Sequence, residues 1–136
     1  MFFGPKVDLT PQAFREALDQ DGGKVVDCRT AGEASGGMIP GAVNVDWLAG
    51  EMQQASASWD KSEPIYCYCR SGARSGAAAQ FLKQQGFNRV YNIGGYSGLR
   101  SIAFTHHLTR KASRWDWLYS RCARISEGLS LLTSFK

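Results

Sequence analysis

A largely parallel α/β sheet of about five strands, covered by helices on both faces, is the fold class this sequence predicts. Three observations predict it. Short β-branched or aromatic runs alternate along the chain with segments of helical pattern, as connected β-α units require. The run Pro64-Ile65-Tyr66-Cys67-Tyr68 reads as a buried strand and leads through a tight polar loop into the helix formers Gly76–Gln85. The polar residues of greatest chemical interest, Asp27-Cys28-Arg29 and Cys69, fall at the carboxyl ends of strands, where sites in such sheets lie.

Each element has a local reason. Thr10-Pro11 sets an N-cap and an N1 proline, and Phe14, Ala17 and Leu18 give that helix an apolar stripe before Asp21-Gly22-Gly23 ends it. Lys24–Cys28 is a strand, residues 30–41 a glycine-rich loop, and Ala42–Val45 a short strand. Asp46 is expected to cap a helix carrying Trp47, Leu48 and Met52, with Gln53–Glu63 as a surface connection. After the central strand, loop and helix, Gly86 serves as a C′ residue, and Arg89–Ile93 forms a last strand stopped by Gly94-Gly95.

The bulk properties narrow the class. A length of 136 residues suits one main domain, and 43% hydrophobic with 21% charged residues is ordinary for a globular chain. No apolar run is long enough to span a membrane, and the start shows no signal-peptide pattern, so a cytoplasmic setting is expected. The net charge of +4 is concentrated late in the chain without interleaved aromatics in the body, which argues for a solvated basic face rather than nucleic-acid binding. Cys28, Cys67, Cys69 and Cys122 contain no C-x-x-C pair, and His106 and His107 stand apart without a partner pattern. Free thiols are therefore expected, with neither a metal nor a cofactor, and the two histidines read as surface residues.

Residues 101–136 have a different character. Ser113 and Asp116 resemble a capping box, and Trp115, Leu118, Tyr119, Cys122, Ile125 and Leu129 recur at helical spacing. The reading is residues 1–100 as the domain and 101–136 as a helical extension of unassigned role. Packing on the domain, a partner or homodimer contact, and membrane-surface binding are the alternatives for its apolar face.

The chemistry centres on Cys69-Arg70-Ser71-Gly72-Ala73-Arg74-Ser75. A cysteine there sits among converging backbone N–H groups at the positive end of a helix, beside two arginines. Each influence favours the thiolate, which is the nucleophile, so Cys69 should titrate below the ~8.5 of a free thiol. A small buried hydrophobe is the ordinary alternative for a cysteine after a strand.

With these residues in view, the chain resembles the single-domain rhodanese-like sulfurtransferases. The resemblance covers residues 7–100 and rests on four motifs in order: Val25-Val26-Asp27-Cys28-Arg29 with Glu33; Gly37-Met38-Ile39-Pro40-Gly41-Ala42; Tyr68–Ser75; and Asn92-Ile93-Gly94-Gly95. Met38 replaces the family's histidine, Leu99 its tryptophan, and Cys28 an aliphatic residue.

The resemblance implies that Cys69 takes sulfur from thiosulfate or a persulfide donor and passes it to cyanide or a thiol, through an enzyme persulfide. It implies that Arg70, Ser71, Gly72, Ala73, Arg74 and Ser75 cradle the sulfur and the donor's charge. Arg70 as a solvated side chain, and Arg74 as an ion-pair partner of Glu33 or Asp27, are the structural alternatives. Asp27, Arg29 and Glu33 are assigned to support, with Arg29 and Glu33 expected to pair across the glycine-rich turn. Cys67 lies about 7 Å along the strand from Cys69, from a rise of ~3.3 Å per residue, and reads as a core thiol rather than a resolving one. Cys28 is the better candidate for a second active thiol.

Three rivals are weighed. A phosphatase or arsenate reductase of related fold is disfavoured, because only four residues separate Cys69 from Arg74 where that loop has five. A non-enzymatic binding or regulatory module is disfavoured by the complete loop. A persulfide carrier delivering sulfur to a protein acceptor stays open.

Overall fold

The computed structural model describes residues 4–100. The expectations for the tail, including its capping box, helix and homodimer role, lie outside the described residues, as do Cys122, His106 and His107. Eight elements follow one another: α1 (Pro11–Asp21), β1 (Lys24–Asp27), α2 (Ala31–Ser35), β2 (Val43–Asn44), α3 (Met52–Ser56), β3 (Ile65–Cys69), α4 (Ala73–Gln84) and β4 (Val90–Gly95). Among the described residues the sheet has four strands in the order β2-β1-β3-β4, every neighbouring pair parallel.

The two-residue alternation of strands β1 and β3 divides the core. Val26, Cys28, Ile65, Cys67 and Cys69 pack on one face with Met52 of α3 and Ala78 and Leu82 of α4. Val25, Tyr66, Tyr68 and Ile93 pack on the other with Phe14 of α1, Ile39 and Leu99. Both faces are thus covered, as a parallel sheet requires.

Several boundaries differ from the sequence expectation, each for a local reason. The glycine-rich loop contains α2, because Thr30 and Glu33 form a reciprocal capping box: the Glu33 amide donates to Thr30 Oγ1 at 3.2 Å and the Thr30 amide to Glu33 Oε2 at 2.9 Å. The helix expected from Asp46 is instead a turn, in which Asp46 Oδ1 accepts from the Ala49 amide at 3.1 Å, and the helix begins only at Met52. Helix α4 starts at Ala73 rather than Gly76, so Arg74 and Ser75 belong to its first turn.

The glycine pair does not stop β4 but lies inside it. Opposite β3 the register moves from Cys67↔Asn92 to Tyr68↔Gly94, leaving Ile93 as an extra residue, a β-bulge beside the end of the cysteine strand. Gly95 closes the approach: a Cβ there would stand 2.6 Å from the Arg70 carbonyl oxygen.

Candidate active site

Cys69 is the last residue of β3, buried beneath the loop that opens α4. Gly72 makes the turn between them, with φ +96°, a left-handed value that side chains resist. The turn brings the Gly72 amide to 3.0 Å from Cys69 Sγ and the Ser75 hydroxyl to 3.4 Å. Burial pushes the Cys69 thiol up, but the Ser75 hydroxyl and the amides of Ser75, Ser71 and Gly72 outweigh it, and the net shift is downward. The direction agrees with the sequence expectation, and the loop N–H groups it named supply much of the effect, joined by the Ser75 hydroxyl.

The two arginines have separate fates. Arg74 is bound to Glu33 by two bonds, Nη1 to Oε2 at 2.7 Å and Nη2 to Oε1 at 3.0 Å. The expected Arg29–Glu33 pair is therefore absent, because Glu33 already serves Thr30 and Arg74. Arg70 is exposed and pairs with no described residue. Ser71 and Ala73 are exposed beside it.

Asp27 and Arg29 form a buried unit behind the loop. Arg29 Nε and Nη2 donate to Asp27 at 2.9 and 2.7 Å, the Arg29 amide adds a bond at 2.9 Å, and the Tyr68 hydroxyl donates at 3.0 Å. Arg29 also donates to the Gly37 carbonyl at 2.6 Å and lies 4.1 Å above the Tyr96 ring. Tyr68 Oη accepts from the Ile39 amide at 3.0 Å. The Gly37–Ile39 turn is thus tied to the end of β3, one residue before Cys69.

Cys28 and Cys67 share the sheet face of Cys69. Cys28 is buried, and its hydrogen bond with Cys67, burial and the neighbouring sulfurs all push its thiol strongly up. A second active thiol at Cys28 gains no support from that setting.

Two groups that matter were not assigned roles from the sequence. Asn92, noted there only within a motif, is 1% exposed and makes four side-chain hydrogen bonds around the loop. Its signal was a polar residue in an apolar strand, which must find partners when buried. Tyr68, noted there only as strand and as the first residue of a motif, supplies a hydroxyl that bridges Asp27 and Ile39.

The Glu33–Arg74 pair predicts a pH effect. Arg74 first, then the Thr30 amide, hold the Glu33 carboxyl down from 4.5 to about 2. A depressed carboxylate contributes stability that is full above its unfolded value and lost as pH falls through the folded one. The stability gap between wild type and Glu33→Gln should therefore narrow as pH drops from 4.5 toward 2. Urea unfolding of both proteins across that range checks it, and a gap independent of pH would count against the ion pair.

With the geometry in place, the comparisons agree. The chain belongs to the rhodanese-like domain family, whose model matches residues 10–101. It is 33% identical over 90 residues to the putative sulfur carrier protein YrkF of Bacillus subtilis, covering 65% of this chain and 46% of that protein. It is 39% identical over 71 residues to a sulfurtransferase of Allochromatium vinosum, covering 52% and 64%. It is 33% identical over 100 residues to a tRNA uridine(34) hydroxylase of Corynebacterium aurimucosum, covering 68% and 32%. The chain spans less than two thirds of the length of each of these relatives.

Proposed function

We propose that the protein is a thiosulfate- or persulfide-dependent sulfurtransferase that works through a Cys69 persulfide. The observation that supports it best is the Cys69 sulfur held at the start of α4 by the Gly72 amide at 3.0 Å, in a setting that favours the thiolate.

In this reading the thiolate attacks the outer sulfur of thiosulfate. The S–S bond of the donor breaks and sulfite leaves with its electron pair. A persulfide stays on Cys69, its terminal sulfur facing the loop amides. Cyanide or a thiolate then attacks that terminal sulfur, forming thiocyanate or a new persulfide and returning the Cys69 thiolate. Arg70, exposed and without a partner among the described residues, meets the anionic donor. Arg74, neutralised by Glu33, shapes the loop. Described cysteines that are all free thiols fit a reducing, cytoplasmic compartment. No described helix is long and apolar enough to cross a membrane.

A carrier that hands the persulfide to a protein acceptor is the second reading, favoured by the likeness to YrkF. Steady-state assays separate the two. A free-standing enzyme turns over thiosulfate with cyanide, whereas a carrier is loaded by a protein persulfide and discharges onto a protein thiol. Phosphatase activity on p-nitrophenyl phosphate that disappears in Cys69→Ser would overturn both.

A further inference from the structure

Asn92 sits in the last strand, yet its side chain reaches the cysteine loop. Its four polar valences are all used. Nδ2 donates to the Gly72 carbonyl at 2.9 Å and to the Lys6 carbonyl at 2.7 Å. Oδ1 accepts from the Ser75 hydroxyl at 2.7 Å and from the Gly94 amide at 3.2 Å. Gly72 and Ser75 also face the sulfur: the Gly72 amide donates to Cys69 Sγ at 3.0 Å and the Ser75 hydroxyl stands 3.4 Å from it, with the Ser71 amide a further donor. The Asn92 side chain therefore grips two of the residues that face the sulfur.

Its own position is fixed from the other side. The Asn92 amide donates to Asp8 Oδ2 at 2.8 Å, and the Asp8 amide donates to the Asn92 carbonyl at 2.8 Å. The bulge at Ile93 falls directly after it, so Asn92 keeps its register with Cys67 while the strand beyond shifts.

We propose that Asn92 is a positioning residue for Cys69: by anchoring the Gly72 carbonyl it holds the Gly72 amide on the sulfur, and by accepting the Ser75 proton it sets how far that hydroxyl serves the sulfur. Asn92 touches neither the sulfur nor a donor molecule, and acts only through these two residues. The inference rests on the sulfur-transfer reading for what Cys69 is used for, but its geometry stands apart from that chemistry.

The direction of the effect follows from the bonds. The Ser75 hydroxyl has one proton, which points to Oδ1 at 2.7 Å, so without Oδ1 it is free to turn onto the sulfur, 3.4 Å away, and favour the thiolate. Without Nδ2 the Gly72 peptide loses its anchor, which disfavours the thiolate. The Gly72 arm stands alone where residue 75 carries no hydroxyl. The charged and titratable groups near Cys69 are Arg74 on α4, whose charge acts on it, and Cys28 and Cys67 on the sheet. None of these changes in the variants used.

The test is the pH dependence of Cys69 alkylation by iodoacetamide in wild type, Asn92→Ala, Ser75→Ala and the double variant, each checked for native circular dichroism. In the Ser75→Ala background Asn92→Ala should raise the midpoint by about one pH unit, a tenfold fall in thiolate below the midpoint, as expected for a loosened bond to a charged acceptor. With Ser75 present the rise should be smaller, because the freed hydroxyl turns onto the sulfur. A folded double variant with the midpoint of Ser75→Ala, or an Asn92→Ala rise as large with Ser75 as without it, overturns the proposal. Should Asn92→Ala fail to fold, Asn92→Ser, which reaches neither Ser75 nor Gly72, runs the same cycle. A wild type that transfers no sulfur but keeps an Asn92-dependent midpoint would overturn the proposed function and support this inference.

Discussion

Replacing Cys69 with serine should lower sulfur transfer by about a thousandfold or more, because the covalent route is closed once the nucleophile cannot form a persulfide. The fold should survive. The residue is buried at the end of β3, where a hydroxyl can accept from the Gly72 amide in place of the sulfur. No neighbouring thiol can stand in for it. Cys28 and Cys67 share the sheet face, but Cys28 is fully buried and held protonated by its hydrogen bond with Cys67 and by burial. Sulfite release from thiosulfate measures the loss of turnover. Mass spectrometry of the thiosulfate-treated wild type should place one extra sulfur on the peptide carrying Cys69. Sulfur found only on Cys28 or Cys67, or turnover retained by Cys69→Ser, would reject Cys69 as the nucleophile.

Much of this site was legible because its signals are local. Strand, cysteine, glycine turn and helix formers follow one another within residues 64–85, and each constrains the next through short-range geometry. Thr10-Pro11 behaved likewise, with Thr10 Oγ1 accepting from the Ala13 amide at 3.1 Å. The capping box of α2 was equally local, written as Thr30-x-x-Glu33, but the surrounding glycines masked it. Other features depend on pairing across distance. Glu33 meets Arg74 across 41 positions, one of the two partners weighed for that arginine, whereas Asn92 meets Gly72 across 20 and read only as a stray amide. The bulge at Ile93 exists only relative to β3, which is why Gly94-Gly95 read as a stop rather than as strand. Asp46 shows the limit of a cap signal. Its side chain can satisfy a turn amide as readily as a helix N-terminus, and nothing in residues 47–50 forces the helix.

Removing the carboxylate of Asp27 should produce the largest loss of stability of any single change proposed for this domain. Asp27 is fully buried and accepts from the Arg29 amide, the Arg29 guanidinium and the Tyr68 hydroxyl. In Asp27→Ala the Arg29 charge, 6% exposed, keeps only the Gly37 carbonyl and the rings of Tyr96 and Tyr68. An uncompensated buried charge of this kind costs about 3–5 kcal/mol, a large share of the roughly 5–15 kcal/mol that holds a domain together. The loss combines hydrogen bonds to a charged acceptor, about 1.5–3 kcal/mol each, with the desolvation of the lone guanidinium left behind. A second variant isolates that cause. Asp27→Leu combined with Arg29→Met removes both charges, so it should be less destabilised than the sum of the single changes. Denaturant unfolding of wild type, Asp27→Ala, Asp27→Leu, Arg29→Met and the double variant measures this directly. An Asp27→Ala protein within about 1 kcal/mol of wild type, a shift typical of an ordinary substitution, would show that water reaches Arg29 and that the buried pair does not hold the Gly37–Ile39 turn against the end of β3.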